Sequence, residues 1–196
     1  MATSFFEYRI IALPLEPKIL ISDRRFGITL ERLAHQLIEN YGTFENTALV
    51  GVQSRGVLLG ERLHQRLQTI TALTDIPFGK LDITFYRDDF RTRTDPIRAN
   101  RTEFDFSLDG KRIILVDDVL YSGRTIHAAL SALNQYGRPE SVELLVMIDR
   151  RFNRQIPIEP DYIGQSVDAL DKAYVRVQLR EAEGTDQVLF FPEGKA

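Results

Sequence analysis

Cysteine is absent from the 196 residues of this chain. Its absence excludes disulfide bonds, thiol nucleophiles and metal sites built from thiolates, and it suits a reducing compartment. The apolar run nearest the amino terminus, residues 10–15, is interrupted by Pro14 and is too short for a signal segment or a membrane span. We therefore expect a cytoplasmic protein with no membrane partner.

The sequence also lacks a large excess of charge of either sign. Its 25 lysines and arginines stand against 28 aspartates and glutamates, which gives a formal net charge of −3 at pH 7. Such a balance gives no overall attraction to nucleic acid or anionic lipid, so any site for a polyanion must be local. Because 43% of the residues are hydrophobic, the chain can bury the core of a single domain.

Apolar patterns typical of buried strands alternate with patterns typical of amphipathic helices. Helices are predicted from Ser22 to Gly42 and over residues 57–67 and 124–136. Strands are predicted over residues 48–52, 112–116 and 142–148, at the alternating positions Leu81, Ile83 and Phe85, and in the tail over residues 174–179 and 188–191. Buried strands that alternate with helices indicate an α/β fold, in which a central, mostly parallel twisted sheet is flanked by helices. The two tail strands are expected to form a small hood.

The segment that points to chemistry is IILVDDVLYSGRT, residues 113–125. An apolar strand ends there in Asp117 and Asp118, and a glycine-containing loop then leads into a helix. In an open α/β sheet, ligands lie beyond the carboxyl ends of the strands, and the amino end of the next helix binds anions. A phosphate therefore fits residues 122–125, where Gly123 allows close approach, and the two carboxylates can accept hydrogen bonds from sugar hydroxyls. A phosphate close to two sugar hydroxyls is a feature of ribose 5-phosphate, so this segment predicts a site for that group.

The acidic pair has two other interpretations. A pair of aspartates after an apolar strand is often only a solvated strand end or a helix cap. The pair could also belong to a nucleotide hydrolase, but such an enzyme needs a phosphate-binding lysine in a GxxxxGK[ST] loop. In the nearest candidate loop, residues 51–56, Gly56 is followed by Val57 and Leu58, so that lysine is missing.

IILVDDVLYSGRT resembles the phosphoribosyl-pyrophosphate motif of type I phosphoribosyltransferases. The resemblance extends to the bifunctional pyrimidine-operon attenuator/uracil phosphoribosyltransferase family through GVQSRG at residues 51–56, LDITFYRDD at residues 81–89 and DYIG at residues 161–164. It covers the chain from about residue 19 to residue 179, and the first residues have no counterpart in the family. We therefore predict an amino-terminal extension, residues 1–18, and one phosphoribosyltransferase domain, residues 19–196.

The resemblance implies that the chain transfers a phosphoribosyl group from phosphoribosyl pyrophosphate to uracil, giving UMP and pyrophosphate. Mg²⁺ is expected to bind together with phosphoribosyl pyrophosphate, with Asp117 and Asp118 as indirect partners. The residues implied to bind the 5′-phosphate are Tyr121, Ser122, Gly123, Arg124 and Thr125, and those implied to bind pyrophosphate are Ser54, Arg55 and Gly56. Catalytic roles are implied for Asp117, Asp118, Arg55 and Arg87, and contact with the base for Tyr162 and Ile163, although core packing is an equal alternative for Ile163.

An arginine-rich polar segment between Arg87 and Asp105 is longer than an ordinary connection. It resembles the loop that closes over the substrate in this family. For Arg98 and Arg101 individually, a solvated segment without a role is nearly as good an interpretation.

Two positions favour a pyrimidine as the base. Purine enzymes of this class carry an aspartate where this chain has Tyr121, and the 6-oxopurine enzymes carry a lysine where Asp149 stands. A carboxylate cannot replace the lysine as a donor. The chain departs from the nearest family after Arg150, where residues 151–154 contain one extra residue, so the base pocket is expected to be reshaped.

The resemblance also implies homo-oligomers, dimers or higher, and binding of a leader mRNA through a basic surface that includes Arg32, His35 and Arg154. Residues that are neutral or basic in the family are replaced here by Glu31, Asn40, Glu159 and Gln165. Because RNA affinity rests largely on neutralised phosphates, we expect this binding to be weakened. The alternative function is a nucleotide-sensing, RNA-binding attenuator with little or no turnover.

Overall fold

The computed structural model describes residues 16–87, 101–169 and 173–192. Its elements, in chain order, are β1 (Lys18–Ile21), α1 (Asp23–Tyr41), β2 (Thr47–Val52), α2 (Arg55–Thr71), β3 (Phe78–Leu81), a 3₁₀ turn (Thr84–Tyr86), β4 (Arg112–Leu120), α3 (Arg124–Leu133), β5 (Ser141–Arg151), β6 (Tyr162–Asp168), β7 (Tyr174–Gln178), α4 (Arg180–Glu183) and β8 (Gln187–Phe191). Five of the strands form one sheet in the order β3-β2-β4-β5-β6, and all neighbours in it are parallel. This arrangement confirms the predicted fold class.

Alternating side chains of the central strands pack against helices on the two faces of the sheet. Ile114 and Val116 of β4 lie in the core cluster that contains the buried faces of α1 and α2. Ile113 and Leu115 lie in a second cluster with α3. A strand covered on both faces is apolar at every position, which is why this segment shows no polar alternation before Asp117.

Helix α1 follows its sequence pattern closely. Its buried positions recur three and four residues apart and include Leu30, Leu33, Leu37 and Tyr41. Gly42 ends the helix in a left-handed conformation with φ +57°, and its N–H donates to the carbonyl oxygen of Ile38 at 2.8 Å. The predicted helix is confirmed, with Tyr41 rather than Gly42 as its last residue.

The expected hood is a separate three-stranded antiparallel sheet in the order β1-β8-β7. Its third strand, β1, comes from the start of the described chain, where Lys18 pairs with Phe190. Ile21, Val177 and Val188 bury their side chains in the same cluster as α1 and α2. The hood is therefore packed onto the body of the domain rather than attached only by its ends.

Several element boundaries differ from the prediction, including those of α2, which spans Arg55–Thr71, and of β5, which spans Ser141–Arg151. β4 continues through the acidic pair to Leu120, and α3 ends at Leu133. The strand predicted from the alternation of Leu81, Ile83 and Phe85 is wrong, since β3 ends at Leu81 and Phe85 is 65% exposed.

A local hydrogen bond explains why β3 stops. The Asp82 carboxylate accepts from the backbone N–H of Thr84 at 2.8 Å and from its hydroxyl at 2.5 Å. A short polar side chain that binds backbone two residues ahead competes with the strand ladder and turns the chain. The apolar alternation carries no information about this contact.

The predicted division into residues 1–18 and 19–196 stays a prediction, because residues 1–15 lie outside the described residues. Lys18 already belongs to the hood. Within the described parts of the chain, no helix is long and apolar enough to cross a membrane.

Gly56 sets how closely α2 approaches β4, and we expect Gly56→Ala to lower stability. A Cβ atom there would lie 2.4 Å from the carbonyl oxygen of Val116, which is backbone and cannot rotate away. We expect a loss of about 1–3 kcal/mol in the free energy of unfolding, as for other overpacked sites, measured by urea denaturation.

The control is Gly27→Ala in α1, where no atom lies within 4 Å of the added Cβ. Alanine there should raise stability by about 0.5–1 kcal/mol, because glycine is the poorer helix former. Equal effects of the two substitutions would contradict the proposed close approach of α2 to β4.

Candidate active site at the carboxyl ends of the strands

The loop after β4 lines a cavity of about 520 Å³. All five residues of the predicted 5′-phosphate loop, residues 121–125, contribute to its wall, together with Arg87. α3 begins at Arg124, so the amino end of this helix, which favours anions, lies at this cavity. Gly123 has φ +89°, a conformation that side chains rarely adopt. An anion-binding loop at this position stays a prediction, with which this geometry is compatible.

The loop is held from outside by the connection between β5 and β6. The carbonyl oxygen of Ser122 accepts hydrogen bonds from the N–H groups of Gln155 at 2.9 Å and Ile156 at 3.1 Å. The Arg124 side chain donates through Nε to Oε1 of Gln155 at 2.6 Å. A Cβ on Gly123 would lie 3.1 Å from Cβ of Ile156, so the glycine also permits this packing.

Asp117 and Asp118 lie within β4 rather than after it. Asp117 is 6% exposed, and its Oδ1 accepts from the N–H of Asp118 at 2.9 Å, while Oδ1 of Asp118 accepts from the N–H of Val119 at 2.9 Å. Burial raises the pKa of Asp117 well above its usual value, the charge of Asp118 raises it further, and Arg87 opposes this shift. Burial also raises the pKa of Asp118, against the effect of Arg55.

This pair sits against the start of α2, where the predicted pyrophosphate loop lies. A Cβ on Gly56 would be 3.3 Å from Oδ1 of Asp117, so the second residue of α2 and the first carboxylate are neighbours. Ser54 precedes α2, and Arg55 is its first residue. The two loops predicted for phosphate and pyrophosphate thus flank the two carboxylates, as expected for ends of adjacent parallel strands.

Arg55 has a partner that the sequence did not indicate. Its guanidinium donates to the carboxylate of Glu183 in α4, and this hydrogen bond raises the pKa of Arg55. Oε2 of Glu183 accepts from the N–H of Leu179 at 2.9 Å, which fixes the carboxylate. Glu183 is 128 residues from Arg55, in the hood, and no local pattern links the two positions.

At the end of β5, Asp149 pairs across the sheet with Leu120, the residue before the loop. Asp149 is 6% exposed and accepts a hydrogen bond from Arg154. Arg154 also donates to the carbonyl oxygen of Tyr121. The guanidinium carbon of Arg150 lies 3.9 Å from the centre of the Tyr121 ring, which is a close cation–π contact.

Tyr162 and Ile163 are not beside this cavity. They begin β6, paired with Leu145 and Val146, whereas Asp149 pairs with Ser166 four residues later. Four strand residues span about 13 Å, so Tyr162 lies well below the carboxyl end of the sheet. Its hydroxyl donates to Glu143 at 2.7 Å. This placement favours core packing for Tyr162, which is 5% exposed and belongs to the cluster with α1, whereas Ile163 is only partly buried.

The residues expected to contact RNA lie in different surroundings. Arg32 is exposed on α1, but its Nη2 donates to the carbonyl oxygens of Ile163 at 3.1 Å and Gly164 at 2.6 Å. His35 is exposed, 3.8 Å from the carboxylate of Glu31. Arg154 points inward to Asp149 and Tyr121. Of the three, His35 alone is shown with no hydrogen bond to the fold.

No group of three or more carboxylate or imidazole side chains within the described ranges could hold a metal ion unaided. The Asp117 and Asp118 carboxylates nevertheless offer oxygen atoms, the ligands that Mg²⁺ prefers. They fit an ion that is held mainly by a substrate. Of the arginine-rich segment, residues 88–100 lie outside the described residues, so its predicted closure remains a prediction.

Comparison with solved structures shows the same fold in the hypoxanthine phosphoribosyltransferase of Trypanosoma cruzi. A mutant of that enzyme in a ternary complex with its substrates has a TM-score of 0.67 at 18% identity, covering 91% of this chain and 97% of the other. A second structure of the enzyme has a TM-score of 0.64 at 15% identity, covering 89% and 95%.

Sequence comparison gives a closer relationship. The family described as phosphoribosyl transferase domain matches residues 20–182. Relatives named bifunctional protein PyrR include one from a Picosynechococcus species, 42% identical over 172 residues that cover 86% of this chain and 94% of the relative. Another, from Deinococcus radiodurans, is 43% identical over 175 residues that cover 89% and 94%. With matches of this length and identity, the chain belongs to the phosphoribosyltransferase family and, within it, to the bifunctional PyrR proteins.

Proposed function

We propose that the protein transfers the phosphoribosyl group of phosphoribosyl pyrophosphate to uracil, giving UMP and pyrophosphate. The observation that carries this proposal is the pair formed by a buried Asp117 and a half-buried Asp118, next to a glycine loop that opens α3 at a cavity. A phosphate-binding loop and two sugar-binding carboxylates in this order suit ribose 5-phosphate. The PyrR relatives support the choice of reaction.

We place phosphoribosyl pyrophosphate so that its anionic groups face the donors of the site and its ribose hydroxyls face the carboxylates. The 5′-phosphate binds the N–H groups and hydroxyls of residues 122–125, and the ribose hydroxyls donate to Asp117 and Asp118. The pyrophosphate lies at residues 54–56, where Arg55 and backbone N–H groups supply positive charge. Each binding element comes from the carboxyl end of a neighbouring strand, so the rigid sheet fixes their spacing.

The reaction forms a bond between a ring nitrogen of uracil and the anomeric carbon as the bond to pyrophosphate breaks. Positive charge builds on the ribose and negative charge on the departing pyrophosphate. The main tasks of the protein are therefore to position the two reactants and to stabilise these two charges. Asp117 and Asp118 stabilise the positive ribose, and Arg55 and Arg87 stabilise the leaving group. When bound with the substrate, Mg²⁺ supplies further neutralisation of the pyrophosphate.

Tyr121 in the cavity wall and Asp149, which pairs with Leu120 before the loop, favour a pyrimidine. Tyr121 has no carboxylate to assist a purine ring, and the Asp149 carboxylate is an acceptor only, so it offers no donor to a purine oxygen. The cytoplasmic location and the assembly into dimers or higher oligomers stay predictions.

Binding to a leader mRNA is the second candidate function, either beside catalysis or, as an attenuator with little turnover, in its place. The names of the PyrR relatives as bifunctional proteins favour it. The α1 surface favours it less, since Glu31 binds Arg66 and lies 3.8 Å from His35. We infer that any RNA contact through this face is weak.

We expect Asp117→Asn and Asp118→Asn each to lower the activity and to raise the stability of the protein. Turnover should fall by roughly 10–100-fold, since one lost charge-assisted contact is worth about 1.5–3 kcal/mol. The melting temperature at neutral pH, without substrate or Mg²⁺, should rise because a buried charge is removed. Wild-type activity in both variants would show that the site is wrongly assigned.

The pH dependence follows from the raised pKa of Asp117. Between the unfolded pKa of about 3.9 and the raised folded pKa of Asp117, the folded protein binds more protons than the unfolded chain. Wild-type stability therefore falls as the pH rises from the first pKa to the second. The advantage of Asp117→Asn should therefore disappear below about pH 4. Asp75→Asn, an exposed aspartate before β3, is the control and should change neither property.

We expect nucleotide formation from uracil but not from hypoxanthine, guanine or adenine. The reason is the absence of a suitable group for purines at Tyr121 and Asp149. Product analysis with each base and phosphoribosyl pyrophosphate measures this preference. Efficient formation of a purine nucleotide would overturn the proposed specificity.

For RNA, we expect weak binding with a shallow salt dependence in gel-shift titrations against the leader RNA of the protein's own pyrimidine operon. Glu31→Gln should tighten binding and steepen the salt slope by about one, because it removes an anion and releases Arg66. His35→Ala breaks no hydrogen bond of the fold, so it tests whether this face of α1 contacts RNA without disturbing the structure. Tight, strongly salt-dependent binding by the unmodified protein, lost in His35→Ala, would show that the α1 surface is intact.

A further inference from the structure

The connection between β5 and β6 contains one arginine whose guanidinium joins two parts of the active site. Nη2 of Arg154 donates to Oδ1 of Asp149 at the end of β5, and Nη1 donates to the carbonyl oxygen of Tyr121 at the start of the phosphate loop. We propose that Arg154 is a positioning residue, which holds the 121–125 loop at a fixed place relative to the base end of the site. This inference rests on the proposed function and adds a residue to it.

The contact is largely shielded from solvent. The side chain of Arg154 is 22% exposed and that of Asp149 is 8% exposed. Charged hydrogen bonds keep more of their strength where water is excluded, and a planar guanidinium can serve two acceptors in a fixed geometry. A lysine could balance the charge of Asp149, but its single ammonium lacks this fork.

Neighbouring contacts show that this connection meets the loop along its length. Gln155 and Ile156 donate to the carbonyl oxygen of Ser122, and Gln155 also accepts from Arg124. Arg154 is the member of this set that reaches on to the end of β5. Without it, the connection would still contact the loop, but the hydrogen-bonded link between the Tyr121 carbonyl oxygen and the Asp149 carboxylate would be lost.

The extra residue of this connection does not displace Arg154. Phe152 takes up a left-handed conformation with φ +76°, and its ring is 73% exposed. Asn153 returns to the fold by donating to the carbonyl oxygen of Ala169 at 2.9 Å. The turn at Phe152 therefore directs Arg154 inward, where it is engaged by the active site rather than presented to a polyanion.

The functional consequence follows from the shape of the substrate. The 5′-phosphate and the anomeric carbon are joined by one sugar, so the loop and the base end must keep a constant separation for the attack. A loop that shifts by a fraction of an ångström lowers phosphate affinity and the fraction of productive complexes. Loss of the Arg154 bridge should thus act chiefly on phosphoribosyl pyrophosphate.

The main test compares Arg154→Lys with wild type. This substitution keeps a positive charge beside Asp149, so the variant should fold with nearly the same melting temperature. The KM for phosphoribosyl pyrophosphate should rise about tenfold, as expected for losing one charged hydrogen bond, while the KM for uracil changes much less. Arg154→Ala should show a larger rise and a lower melting temperature, because it leaves Asp149 buried without its partner.

The matched control is Arg151→Lys in the same connection. Arg151 binds Asp168 through Nε at 2.7 Å, its side chain is 53% exposed, and none of its observed contacts is with the 121–125 loop. Its KM values should equal those of wild type. An unchanged KM for phosphoribosyl pyrophosphate in Arg154→Lys, or an equal rise in Arg151→Lys, would overturn the proposal.

Direct binding of ribose 5-phosphate, measured by calorimetry, separates this inference from the proposed function. Weaker binding in Arg154→Lys than in wild type supports the positioning role even if the wild type shows no turnover with uracil. If the wild type turns over uracil and Arg154→Lys binds ribose 5-phosphate normally, the function stands and the positioning role is refuted. Loss of RNA binding alone in Arg154→Lys would likewise refute it.

Discussion

The burial of Asp117 beside a half-buried Asp118, near the carboxyl end of the central strand, is the constraint on which the proposed active site depends. Asp117 pairs with Val146 of β5 and is 6% exposed, so water cannot solvate its carboxylate fully. Taking such charges from water is unfavourable unless cations lie nearby. Arg55 and Arg87 supply that charge from two other segments. The site is thus arranged around an electrostatic cost that a substrate with hydroxyls and bound Mg²⁺ can relieve.

The hood takes part in this balance of charge. Glu183 of α4 accepts a hydrogen bond from Arg55 at the start of α2, and Glu181 of the same helix accepts one from Arg62. The proposed pyrophosphate end of the site is therefore joined to an element outside the central sheet. We expect a substrate that binds Arg55 to share it with Glu183, which would link the hood to pyrophosphate binding through one guanidinium.

The sheet and the glycine-containing turn into α3 could be predicted from sequence because both follow from local patterns. Apolar runs of strand length mark β2, β4 and β5, and Gly123 marks the turn into α3. The contacts of Glu183 and Arg154 could not be predicted, since they join residues distant in sequence or depend on the turn at Phe152. For a related reason, the sequence does not show that Tyr162 lies away from the cavity. DYIG indicates the start of a strand, but not which end of that strand faces the cavity.

The same distinction bears on the charge of the surface. A count of arginines suggests cations available to a polyanion, yet many of them are already bound to carboxylates. Arg66 binds Glu31, Arg62 binds Glu181 and Asp186, and Arg180 binds Asp23. Exposed pairs of this kind add little stability, but each cancels a positive charge that a phosphate would otherwise meet. We therefore expect affinity for anions to be concentrated at the cavity, which the amino end of α3 and Arg87 line, rather than spread over the helices.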